Sequence, residues 1–62
     1  MKRRDLEKHL REHGCDLHHH GRRHDVWIHA KTLRHVSVPR HNELKRGTVR
    51  AICEKLAVPS PV

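Results

Sequence analysis

Apolar residues recur at helical spacing only near the two ends of this 62-residue chain, at Leu6 and Leu10 and again at Val49, Ile52, Cys53 and Leu56. Between the two stretches the period changes. Cys15 and Leu17 alternate with Asp16 and His18, and Val36 and Val38 alternate with His35 and Ser37. The segment His24 to His29 is rich in the strand formers Val26, Trp27 and Ile28. Its apolar residues fall on both parities, so either Trp27 or the Val26/Ile28 pair faces the core. The order is helix, strand, strand, strand, helix. Glycines and prolines punctuate it: Gly14 ends a first helix over residues 3–13, within which Glu7 and Arg11 stand at pairing distance. Gly21 marks a turn after His18, His19 and His20, and Ala30 to Leu33 connects the second and third strands. Pro39, which has no ladder donor, ends a third strand over residues 34–38. Residues 40–46 form a polar loop, Thr48 caps the last helix, and Pro59 and Pro61 stop it.

Such an order permits a three-stranded antiparallel sheet with both helices on one face, an α+β fold in two layers and one domain over residues 1–62. A chain this short buries only about 60% of its unfolded surface. With 34% apolar residues and Trp27 as its one aromatic, the core rests on Leu6, Leu10, Val26, Val36, Val38, Val49, Ile52 and Leu56.

Fourteen Lys and Arg against seven Asp and Glu give a net charge of +7 with all nine histidines neutral. The natural partner of such a chain is a polyanion. Nucleic acid comes first, an acidic protein surface second, and no amphipathic stretch is strong enough to enter a membrane. Phe and Tyr are absent, so bases have no aromatic platform to stack on, and contacts to phosphate and to nucleic-acid shape are expected instead. A helix-turn-helix pair is missing too, which argues against direct binding to DNA. Two cysteines far apart, Cys15 and Cys53, do not make the disulfide framework of a small secreted domain, and no apolar run is long enough to span a membrane. A cytoplasmic protein with reduced thiols is expected. Cys15 with His18, His19, His20 and Cys53 invites a zinc reading, but consecutive histidines on a strand alternate faces and no Cys-x-x-Cys is present. Neither metal nor cofactor is expected.

The helix-strand-strand-strand-helix order is that of double-stranded-RNA-binding domains. More specifically, the residues resemble the HicA family of bacterial toxins. The match runs through Gly14, the turn Gly21 to His24, Val26-Trp27, Pro39, His41, and Gly47-Thr48 followed by Val49 and Ile52, which is nearly the whole chain. Where the family commonly has glycine and a small polar residue before the histidine, this chain has Arg22 and Arg23, and Ala57 stands where a helix-ending glycine is expected. The resemblance implies an endoribonuclease that cuts messenger RNA, with His24 as the catalytic residue, held inactive by a HicB-type antitoxin.

That chemistry needs a base for the RNA 2′-hydroxyl and charge stabilisation at phosphorus, and histidine, with an ordinary pKa of about 6.5, suits the base. At the start of a strand beside a turn, His24 projects toward a phosphate while Arg22 and Arg23 hold the backbone. Lys45 and Arg46 precede a helix N-terminus, whose free N–H groups attract phosphate as well, and the resemblance implies an RNA-facing site there. A second acid is not legible: strand alternation sends His29 to the face opposite His24, and His41 sits in the following loop. The competing reading is an RNA-binding module without catalysis, or a decayed toxin that only docks its antitoxin.

Overall fold

Leu6 and Leu10, one helical turn apart, are both completely buried, and they anchor α1 (Arg3–Glu12) in the computed structural model, which describes all 62 residues. Its ion pair is Arg3 with Glu7, 3.9 Å apart, rather than Glu7 with Arg11. Arg11 instead places its guanidinium 4.9 Å from the centre of the Trp27 ring. The helix ends at Glu12, one residue before the expected position, with His13 as its cap and Gly14 just beyond at φ +82°, in the left-handed region. No side chain caps its start. The preceding chain is tied to the loop before the last helix instead: Lys2 forms a bridge with Glu43, and the Arg3 N–H donates to the Asn42 carbonyl at 2.9 Å.

The sheet has the order β1 (Cys15–His20), β2 (His24–His29), β3 (His35–Pro39), with both pairings antiparallel. Leu17 lies opposite Trp27 and His19 opposite Val26, so β1 carries one extra residue at His18. This bulge reverses the parity of the strand beyond it. Cys15 and Leu17 share the helix-facing side with Trp27, and past the bulge His20 joins Asp25 on that side. The side of β2 left open by the sequence is thereby decided for Trp27, which is 1% exposed, while Val26 and Ile28 lie half-buried on the open face. Val26 is therefore not a core residue, contrary to the sequence expectation. The bulkiest apolar side chain fills a core otherwise built of aliphatic side chains and two cysteines. Pro39 is itself the last residue of β3, facing His24 across the ladder at an edge where a missing donor costs nothing.

The second helix, α2 (Arg46–Lys55), begins two residues ahead of Thr48. Thr48 lies inside the first turn and is not the cap. Lys45 holds the cap position in extended conformation, and its carbonyl accepts the Val49 N–H at 3.0 Å. The cause is the adjacent pairing of the chain start with Leu44, whose N–H donates to the Met1 carbonyl at 2.8 Å and whose carbonyl accepts from the N-terminal ammonium at 2.9 Å. That pairing keeps the chain extended up to Lys45, and the helix starts directly after. At its other end Ala57 adopts φ +58°, with Ala57 N–H bonded to Glu54 and Val58 N–H to Cys53. This is the Schellman arrangement usually built on glycine.

One cluster of eleven buried residues joins the helices to the sheet: besides the aliphatic residues, among them Leu44 of the loop before α2, it contains Trp27, Cys15 and Cys53. Both cysteines are free. Burial pushes both thiols above the usual range, helped at Cys15 by Asp16 and at Cys53 by Cys15, so they are protonated core residues.

Candidate active site

The turn from Gly21 to His24 is the element that presents the candidate base. The Gly21 N–H donates to the His24 carbonyl at 2.7 Å, and a Cβ on Gly21 would sit 2.7 Å from that same oxygen. Only glycine permits so close an approach. His24 then opens β2 opposite Pro39, exposed and on the same side of the sheet as Val26. A groove of about 410 Å³ runs from His24 past Ser37 and Pro39, around the β3 edge, to Gly47, Thr48 and Ala51 of α2. A second, of about 480 Å³, is lined by Arg23, His24, Pro39, Arg40 and His41.

These two grooves decide which sequence candidates meet. Arg23 and His41 border His24 directly, and Arg22 is an exposed neighbour in the turn. Lys45 and Arg46 are exposed at the start of α2, next to the Gly47 and Thr48 that line the first groove. His29 is on the helix-facing side, as strand alternation requires, and its Nδ1 accepts the Lys31 N–H at 3.1 Å. A third concavity, of about 390 Å³ and lined by Lys2, Arg3, Arg4, Asn42 and Glu43, does not include His24. Because Arg3 also donates to the Arg40 carbonyl at 2.6 Å, the start of α1 adjoins this end of the sheet. Both helices thus direct their N-terminal, positive ends to the end of the molecule that carries His24.

The feature that the sequence does not disclose lies behind His24. Asp25 is buried on the helix-facing side and accepts two hydrogen bonds at 2.8 Å, from His20 Nδ1 and from Arg40 Nε. Since an ionised carboxylate only accepts, the His20 proton must sit on Nδ1. A terminal nitrogen of Arg40 donates to the Gly21 carbonyl. The His20 hydrogen bond holds the Asp25 carboxyl below the usual range, burial opposes this, and Arg40 reinforces it by hydrogen bond and charge. The only sequence signal was a carboxylate on one parity of a strand flanked by basic segments.

The histidine run does not gather a metal site with Cys15, and no three His, Cys, Asp or Glu side chains converge as ligands anywhere in the chain. His9 and His13, a His-x₃-His pair, stack one turn apart in α1 with 4.3 Å between ring centres. Each has a ring nitrogen on a carbonyl, His9 on Pro59 and His13 on His9. No helix is long and apolar enough to cross a membrane.

The family described as "HicA toxin of bacterial toxin-antitoxin" matches residues 3–58, from the first residue of α1 to just past the α2 cap. Neither curated proteins nor solved structures yield a match. With an α-β-β-β-α fold consistent with double-stranded-RNA-binding domains and a family match over nearly its whole length, the chain belongs to the HicA family of toxins of bacterial toxin-antitoxin systems.

Proposed function

We propose that this toxin is an endoribonuclease that cuts messenger RNA without a metal, with His24 as general base and acid, and that a HicB-type antitoxin silences it. The observation that carries the reading is an exposed histidine at the end of a hydrogen-bonded turn, bordered by Arg23, Arg40 and His41 and sharing a groove with the first turn of α2. His24 takes the proton from a 2′-hydroxyl, whose oxygen attacks the adjacent phosphorus and expels the 5′-oxygen of the next nucleotide. The products are a 2′,3′-cyclic phosphate and a 5′-hydroxyl, with the proton returned to the leaving oxygen by His24 or water. Arg22, Arg23, Lys45 and Arg46 hold neighbouring phosphates, and the positive ends of the helices favour the charge that gathers at phosphorus. A net charge of +7 suits an antitoxin with an acidic surface that covers the His24 end.

The chemistry is tested with one RNA and its counterpart carrying 2′-deoxyribose at the cut position. Cleavage of the first alone is expected. Equal cutting of both removes the 2′-hydroxyl from the reaction and the assigned role from His24. The hydrogen bonds at this end of the sheet converge on Asp25 rather than on the His24 ring, which favours a second reading, a binding module without catalysis. Salt-sensitive RNA binding with no cleavage by the wild type is its signature.

A further inference from the structure

Arg40 stands directly after Pro39, the residue paired with His24, and it is the one side chain that touches both ends of the turn presenting that histidine. Its Nε donates to Asp25, the residue after His24, and a terminal nitrogen donates to the carbonyl of Gly21, where the turn begins. A guanidinium is a planar fork with donors in fixed directions, so two simultaneous bonds define both the distance and the relative orientation of the groups they join. Arg40 is itself anchored from behind, because its carbonyl accepts from Arg3 of α1 at 2.6 Å. On the other flank His20 brings the end of β1 to the same Asp25 carboxylate.

The turn needs this brace. Inside it a single backbone bond, from Gly21 N–H to the His24 carbonyl, resists opening, and Arg22 and Arg23 are exposed and repel each other. The Asp25 carboxylate accepts from both Arg40 and His20, and Arg40 commits one bond to it and a second to the Gly21 carbonyl, donors that a phosphate-gripping arginine would keep free. We propose that Arg40, through Asp25 and the Gly21 carbonyl, is the positioning residue that holds His24 at its productive place.

The catalytic half of this proposal rests on the reading of His24 as base, and the test separates the two. Amide hydrogen exchange is followed at Gly21 and at the core residues Val49 and Ile52 in the wild type, Arg40→Ala, Arg40→Lys and Asp25→Asn, and RNA cleavage is measured on the same samples. Loss of the brace speeds Gly21 exchange by about tenfold or more while core protection persists, since local opening precedes global unfolding. Arg40→Lys, which keeps the charge but not the fork, shows the same selective acceleration and serves if Arg40→Ala loses its core protection. Cleavage by Arg40→Ala falls in kcat by on the order of 100-fold, the cost of a misplaced catalytic group, with KM little changed. The double variant of Arg40 and Asp25 loses less than the two single losses combined, because the two side chains share one bond. Unchanged Gly21 exchange in the Arg40 variants overturns the proposal whether or not the wild type cuts RNA. So does a raised KM at unchanged kcat, the mark of a phosphate contact. A wild type that cuts no RNA defeats the nuclease reading alone, and the exchange data still decide whether Arg40 braces the turn.

Discussion

Replacing Gly21 with alanine strikes the turn without touching any charged group. The added Cβ would lie 2.7 Å from the His24 carbonyl oxygen, and because that atom is backbone, no side-chain rotation relieves the clash. The turn must open, which sacrifices the 2.7 Å bond between Gly21 N–H and the His24 carbonyl. A lost hydrogen bond costs about 1 kcal/mol net and forced displacement typically about 1–3, a sum of about 2–4 kcal/mol, of which the lower end, about 2 kcal/mol, applies in a turn that water can reach. In a domain of this size that lowers Tm by about 8–16 °C. The shifted His24 also lowers kcat by on the order of 100-fold. Thermal unfolding followed by circular dichroism reads the first effect and cleavage of a defined RNA the second. Gly47→Ala is the contrasting control: nothing lies within 4 Å of its added Cβ, and in the first turn of α2 alanine stabilises by about 0.5–1 kcal/mol. A Gly21→Ala variant that melts with the wild type refutes the close-approach argument.

Ala57→Gly removes the cost of a left-handed alanine at the end of α2 and should stabilise by about 1 kcal/mol, raising Tm by about 4–8 °C; no change in a melting curve contradicts the cap. Asp25 titrates below its unfolded value of about 3.9, so its contribution is present above that pH and is lost as pH falls through the folded pKa. Urea unfolding should therefore find Asp25→Asn less stable than the wild type at neutral pH, with the gap closing in acid below about pH 4; a constant gap denies the carboxylate its role. If Arg22, Arg23, Lys45 and Arg46 each hold one phosphate, log K for single-stranded RNA should fall against log salt with a slope of about −3, and a slope near zero rules phosphate contacts out.

Element order was legible because helical spacing at Leu6/Leu10 and Val49/Ile52/Leu56 contrasts with the alternation of the middle segments. The side of β2 was not, since Val26, Trp27 and Ile28 occupy both parities and volume, not pattern, selects Trp27 for the core. The burial of Leu44 was not legible for a related reason: it sits in a polar loop without periodicity, where the chain start pairs with it. That same pairing, long-range in sequence, moved the start of α2 ahead of Thr48. The place of His24, at the close of a turn and the start of an apolar strand, was legible through the family pattern. The brace behind it was not, because it needs a bulge at His18 to swing His20 onto the side of Asp25 and the chain beyond β3 to return Arg40 to the turn.

Whether His24 performs a cleavage that needs no metal is decided by incubating a messenger RNA in EDTA with purified, partner-free wild type and with His24→Ala shown by circular dichroism to be folded. Cutting by the wild type alone is the predicted result. Cutting by both would assign the activity to another residue, and cutting by neither would leave a chain that binds RNA without acting on it; either result contradicts the account.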